Sequence, residues 1–483
     1  MHMLRWFSLL SGLSINLKKS QLLGVGIPET NVSEAASLIG CSVMRTPFKY
    51  LGIVVGGNMS SIKQWDDTIF KLKMRLSNWK LTTLSIGGRF TLPISVLGST
   101  PIYNMSLYKV PKSVLNSMES IRRNFFNGIR EGERKIAWVK WSKVLASKNN
   151  GGLGVSSFFA LNRGLLVKWM WRFLTRDNSL WARFIQASHG SNTQNISASY
   201  PSLWSSIIKE VNILKSQGLD FFSHCKIRVG NGRNTSFWKD LWIGDSRLFL
   251  AFPRLYALEN NKDCIVAVKM NDPFMSSLRR DLRGGVESTQ LSQLLVLLDT
   301  VVLSNTDDRW VWDLNGEGSF HVKDDRILLD DNFLPKVVYP TRWVKSIPFK
   351  LNIFAWKVSL NRLPTRINLV RRGVSVSPIS CSICHAGLED LDHLLFCCSM
   401  AIDVTRSICK WWNLVWVPFV SYLSWLSWFN SIRMSSNSKM VLEGVFYTAW
   451  WSIWTYRNQL LFVDSHPRKE VIYDDIVRRS FLW

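Results

Sequence analysis

Residues 381–398 read Cys-Ser-Ile-Cys-His-Ala-Gly-Leu-Glu-Asp-Leu-Asp-His-Leu-Leu-Phe-Cys-Cys. Two cysteines separated by two residues form a knuckle whose thiolates can grip one Zn²⁺. A histidine and a further cysteine, a little over one helical turn apart, complete a tetrahedron. The spacing therefore selects Cys381, Cys384, His393 and Cys398 as ligands of a structural zinc, with Cys397 the alternative at the fourth position and ordinary buried thiols the plainer reading. A closed S₃N set suits borderline-soft Zn²⁺ and leaves no position open for water. On this reading the metal replaces a core that so short a segment could not build alone. Five of the eight cysteines fall between 381 and 409, which argues for metal in a reducing compartment and against a disulfide framework. Cys381-x-x-Cys384-His385 also matches a haem-attachment pattern, but neither an export signal nor a second axial ligand context accompanies it. A retroviral-type knuckle has a shorter middle spacing, and a RING needs more ligands than this segment offers.

Outward from this segment the chain has 483 residues, enough for about three domains of ~150 residues each. With 47% hydrophobic and 20% charged residues it can bury real cores. Its formal charge is +25, unevenly placed: residues 1–180 hold 25 basic and 8 acidic residues, a net +17. Such a skew is unusual for an enzyme of neutral metabolites. It points to a polyanion, nucleic acid first and a membrane surface second. The most apolar late run, Val445–Trp454, is ten residues, about half of a helical crossing. The start lacks a small-residue cleavage site. The expectation is a nuclear or cytoplasmic protein, neither secreted nor held in a membrane.

Along the chain, Asn16–Gly26 reads as a turn and strand, Asn31–Gly40 as a helix, and Lys49–Gly57 as an apolar strand ended by paired glycines. Two strands and a helix leave unpaired edges, so a further piece is expected before residue 1. Trp65–Trp79, with Ile69, Leu72, Leu76 and Trp79 on one stripe, Val110–Phe126 and Leu161–Leu174 all carry helical periodicity. Residues 186–335 are less regular, with strand-like Lys226–Val229 and Trp310–Trp312. The Gly230–Asn234 turn cluster is too short for a phosphate-cradling loop, and Asn315–Gly318 reads as a hairpin turn before Ser319–Val322. Further on, Leu351–Leu360 and Lys439–Phe462 are helical.

Metal-dependent polymerases and nucleases need carboxylates around Mg²⁺. Five pairs occur: Asp66–Asp67, Asp307–Asp308, Asp324–Asp325, Asp330–Asp331 and Asp474–Asp475. Ile472 stands where a polymerase Y-x-D-D hairpin has its tyrosine, and the flanks read helical, so all five are expected to be solvated helix faces or caps. No Walker A loop, nucleophile elbow or HExxH pair is present. Basic and aromatic residues interleave at Arg122–Arg123, Lys135–Lys143 (with Lys140) and Lys168–Arg172. There Trp138, Trp141, Trp169 and Trp171 offer stacking surfaces or core packing.

Several blocks resemble the C-terminal part of the reverse transcriptase of plant LINE-type (non-LTR) retrotransposons. Ser11–Ser20 is similar to the segment that follows its catalytic Asp-Asp hairpin, and Phe48–Gly52 to its primer-gripping strand. Thr83–Arg89, Ser120–Phe126, Lys135–Trp141 and Gly151–Val155 resemble its thumb and the region beyond, and Val229–Trp242 and Pro253–Leu258 its connecting region. Phe349–Pro364 with the Cys381, Cys384, His393 and Cys398 set resembles its zinc-binding domain, and Trp451–Asn458 a C-terminal signature. The resemblance implies an α+β, mainly helical chain: a palm remnant over 1–60, a helical thumb-like basic region over 61–185, a connecting region over 186–309, a zinc-binding domain over 310–425 and a C-terminal helical segment over 426–483. It adds Lys19, Lys49 and Arg89 to the nucleic-acid-binding candidates. The family's catalytic carboxylates precede the segment matching Ser11–Ser20, and none of the ten residues before it here is Asp or Glu. A truncated, RNA- or DNA-binding chain that does not itself polymerise is therefore expected, with no small-molecule substrate. Mg²⁺ is implied only for a full-length polymerase. The rival reading is a zinc-dependent protein-interaction module without nucleic-acid binding.

Overall fold

Serine side chains cap several of the helices, and left-handed glycines close others. In the computed structural model, which describes residues 2–13, 16–76, 83–97, 99–130, 132–175, 179–190, 202–337, 339–463 and 468–482, helices dominate. Strands among these residues form three two-stranded pairs. The mainly helical α+β expectation holds.

Near the start, β1 (Gln21–Leu22) and β2 (Ser42–Val43) pair in parallel, with α1 (Glu29–Ile39) as the crossover between them. The run expected as one strand, Lys49–Gly57, is instead a hairpin of β3 (Phe48–Tyr50) and β4 (Ile53–Val55). Leu51 and Gly52 turn it, with φ of 48° and 85°. Two left-handed residues match the twist of antiparallel strands, and leucine at the first of them concealed the turn.

The expected helical stripe becomes α2 (Asp66–Met74), where Leu72 is buried and Ile69 packs against the core; Trp79 lies outside the described residues. Next come α3 (Ile86–Leu92), α4 (Lys112–Asn127) and α5 (Phe158–Leu174). Trp65, Leu72, Val114, Met118, Phe125 and Phe158 meet in one core. α6 (Leu203–Ser216) joins α5 through the buried pair Arg163–Glu210, at 2.7 Å. The two strand-like pieces of the middle region pair with each other, β5 (Cys225–Arg228) against β6 (Arg309–Trp312). The Asn315–Gly318 turn forms, but no strand follows it. The chain enters α7 (Val322–Phe333), which lies along α5. Gly164 permits that approach, since a Cβ there would sit 3.2 Å from Asp325 and 3.3 Å from Val322.

α8 (Phe349–Ser359) is shared between two bodies of structure. On one side it meets α3, where a Cβ on Gly87 would lie 3.1 Å from the Lys350 nitrogen. On the other it packs on the long α12, introduced after α9 (Arg366–Val370), α10 (Ser399–Trp411) and α11 (Tyr422–Ser431). α12 spans Ser436–Phe462 and is followed by α13 (Ile472–Ser480).

Asp66–Asp67 and Asp474–Asp475 do sit in the first turns of α2 and α13. The other acidic pairs correct the expectation of solvated faces. Asp308 accepts from the N–H groups of Gly230, Gly232 and Asn234 and from the Thr235 hydroxyl, so the turn cluster cradles an internal carboxylate. Asp330 receives the Ser157 N–H and both the Ser156 and Ser157 hydroxyls, while Asp331 receives Ser147 and Asn150. Each satisfies donors on a distant part of the chain. Asp325 is buried, and one of its oxygens has no partner.

Burial pushes the Asp325 carboxyl from 3.8 up to about 7. The folded chain thus holds this proton more tightly than the unfolded chain does. Stability falls as pH rises from about 4 to about 7 and stays lower above that. Asp325→Asn should match the parent near pH 4 and exceed it at pH 8, by up to roughly 4 kcal/mol. Urea unfolding midpoints at both pH values check this, and an equal difference at the two would refute it.

Candidate metal centre and nucleic-acid interface

The knuckle is built by backbone hydrogen bonds. The Cys381 N–H donates to Gly387 (2.7 Å), the His385 N–H donates to Cys381 (3.0 Å), and Ser380 bridges Leu388. These fold residues 380–388 into a tight loop that presents both thiols on one side. A Cβ on Gly387 would press within 3.0 Å of the His393 ring, so glycine leaves room for the imidazole. His393 opens a wide helical turn, His393–Cys397, closed by the Cys398 N–H on the His393 carbonyl at 2.6 Å. In an ordinary α-helix residues five apart point roughly 140° away from each other. The wider i→i+5 turn brings His393 and Cys398 back to one face.

The ligand atoms of Cys381, Cys384, His393 and Cys398 all lie within 4.8 Å of one another. The Cys384 sulfur is 3.1 Å from His393 Nε2. A zinc tetrahedron with Zn–S near 2.3 Å and Zn–N near 2.1 Å has edges of roughly 3.5–3.8 Å, so a modest inward movement closes the set on one Zn²⁺. The hydrogen bond with Cys398, with help from the Ile383 and Cys384 N–H groups, holds the Cys381 thiol below its usual range. Cys397 faces away from the cluster, is exposed, and lies 3.7 Å from the Val420 carbonyl. The segment does not stand alone, because Leu391, Leu394, Leu395 and Phe396 bury with Trp425 of α11 and Trp450 of α12. A zinc held by the four donors would fix the local conformation of the loop 380–398.

Glu389, between the ligands, is fully buried. It accepts from the Arg366 N–H at 3.1 Å and the Ser382 hydroxyl at 3.1 Å, and it pairs with Arg457 of α12. Arg366 also donates to the Pro378 and Ser380 carbonyls, both at 2.8 Å. Sequence reasoning passed over Glu389 and Arg457. The signal available was Arg457 itself, a single cation directly after the aromatic run Trp451–Tyr456.

Residues 331–405 match the model of the family described as zinc-binding in reverse transcriptase, which spans α8, the knuckle and the four converged ligands. An Arabidopsis thaliana protein named as a ribonuclease H protein is 28% identical over 357 residues, covering 69% of this chain and 54% of that relative. The chain thus spans about half of that relative's length. An uncharacterized mitochondrial protein of Arabidopsis thaliana is 31% identical over 151 residues, 30% of this chain and 93% of that protein. The chain belongs to one family with this mitochondrial protein and is retrotransposon-related.

The retrotransposon-related chain disposes its candidate cations unequally. Lys19, Arg123, Lys135, Lys140 and Lys168 are exposed, and Lys143 is half-buried. Lys49 is exposed and pairs with Asp67 at 3.0 Å. Arg122 is buried, bound to Glu119 and to the Val155 and Ser156 carbonyls, so its charge is used inside the fold. Arg172 lies over Trp169 and Trp181. Arg89 is partly buried beneath Gly128. Three of the four tryptophans are half-buried and engaged within the fold. Trp141 donates to Glu119, Trp169 donates to the Ser106 carbonyl, and Trp171 packs on Trp312 and Phe320. Among the described residues no helix is long and apolar enough to cross a membrane.

Elemental analysis should find one Zn²⁺ per chain, lost in Cys398→Ser and largely kept in Cys397→Ser; equal loss in both would overturn the ligand set. Arg457→Met should destabilise the chain by about 3–5 kcal/mol, because Glu389 then stays buried with a weaker partner. Thermal unfolding of the zinc-loaded variant checks this, and an unchanged midpoint would show that the pair carries no stability.

Proposed function

We propose that this chain is the zinc-bearing, nucleic-acid-binding part of a LINE-type reverse-transcriptase polypeptide, with binding carried by residues 1–185 and the zinc serving structure alone. The observation that carries the reading is the family match over residues 331–405 on a segment whose S₃N donors converge. Four protein ligands leave no open coordination position, which supports a structural metal. The net +17 of residues 1–180 supports a polyanion partner. Among the candidates, exposed Lys19, Arg123, Lys135, Lys140 and Lys168 and half-buried Lys143 are the phosphate contacts of this reading. Because Trp141, Trp169 and Trp171 are engaged inside the fold, binding rests on charge more than on stacking in those helices.

Neutralising about five phosphates of a single strand gives a slope of log K against log salt of roughly −3.5. Lys140→Glu with Lys143→Glu should weaken binding and flatten that slope, read by fluorescence anisotropy at low and moderate salt. Unchanged affinity and slope in the double variant would remove this face from the interface. If the parent chain fails to bind at low salt, the zinc-dependent protein-interaction reading takes its place.

A further inference from the structure

A cleft of about 430 Å³ opens between α3, the segment 135–138 and α8, a size within the ~300–1,000 Å³ of ligand pockets. Its polar lining includes Arg89, Lys135 and Lys357, its apolar walls include Phe126, Trp138 and Leu369, and among the described residues no carboxylate lines it.

Lys357 is the unexpected member. It stands in α8 between buried Trp356 and Val358, its side chain with no hydrogen-bond or ion-pair partner among the described residues. Burial first, and the like charge of Arg89 second, push it down to about 8. The Arg89 Nε is buried without a partner, and burial alone lowers that guanidinium. Two cations are thus held together with no carboxylate partner among the described residues, an arrangement that costs stability unless an anion joins them. The fold nevertheless enforces it from both sides. Gly87 lets α3 close onto α8, and Arg372 clamps the opposite wall by donating to the Ala137 carbonyl (2.8 Å) and the Trp138 carbonyl (3.1 Å). Lys135 stands exposed at the rim, paired with Glu133 at 2.8 Å, and exposed Lys140 follows on the same segment.

We propose that this cleft seats one nucleotide of a single-stranded nucleic acid, its phosphate between Arg89 and Lys357 and its base against the wall of Phe126, Trp138 and Leu369. The site deepens the nucleic-acid reading above and rests on it. A phosphate neutralises both unpaired cations at once, and the apolar wall beside them suits the flat face of a base. A strand suits the cleft better than a free nucleotide, because it is open at the rim where Lys135 and Lys140 continue the positive surface.

The test uses the full, zinc-loaded chain and a fluorescein-labelled ten-nucleotide oligothymidylate, with AMP in equilibrium dialysis as the second probe. Lys357→Met should lower strand affinity about tenfold and reduce the salt slope by ~0.7, the share of one phosphate on a single strand. Its thermal midpoint should hold or rise, since an unpaired buried charge is gone; a residue kept for stability would behave in the opposite way. Should Lys357→Met misfold, Leu369→Glu places a carboxylate in the apolar wall and should weaken strand binding comparably. Unchanged affinity in the folded variants, with the parent binding the strand and Lys140→Glu/Lys143→Glu weakening it, overturns the cleft while the broader reading stands. Binding of AMP that depends on Lys357, without strand binding, overturns the strand as occupant. Binding of neither probe overturns both readings.

Discussion

A carboxylate with no exposed surface is tolerable only where cations and donors meet it, and Glu389 is such a group. Arg366 comes to it from α9, Arg457 from α12, and Ser382 from within the knuckle. The zinc loop, the short helix before it and the longest helix of the chain therefore share one buried charge centre. The metal and this acid divide the work. The S₃N set can fix the local conformation of residues 381–398, while Glu389 fixes how that loop sits on α12. Because α12 packs on α8, and α8 on α3, the orientation of the first third of the chain follows from the same anchor.

The basic excess is distributed by a similar logic. Several cations are consumed in buried pairs, among them Arg122 with Glu119, Arg163 with Glu210, Lys269 with Glu259 and Arg457 with Glu389. Such pairs remove equal numbers of both signs from the surface. Asp308 and Asp330, by contrast, are satisfied mainly by backbone N–H groups and hydroxyls, and Asp325 by none of these.

The same packing explains why so many tryptophans accompany the cations without forming a stacking platform. Trp141 and Trp169 spend their N–H groups on Glu119 and the Ser106 carbonyl, and Trp171 faces Trp312 and Phe320. An indole buried by its neighbours needs an acceptor for its N–H, and these helices supply one for each of the first two. Trp138 differs: it borders a cleft, with the Arg372 guanidinium 4.9 Å from its ring centroid.

What the sequence determined by itself was local. The four donors that converge, the stripes of α2, α4 and α5, the strands β5 and β6 and the long α12 were legible because spacing and periodicity are properties of a few neighbouring residues. Tertiary structure decided what depends on which faces meet. It turned Lys49–Gly57 into a hairpin at Leu51, drew Asp308 and Asp330 inward to donors far away in sequence, and set Cys398 rather than Cys397 on the ligand side through a widened turn. It also supplied Glu389 with Arg457 and placed Lys357 beside Arg89. None of these pairings leaves a periodic trace, because each arises from two segments brought together by packing elsewhere, and a charge acquires its role only from the partner or the emptiness it then faces.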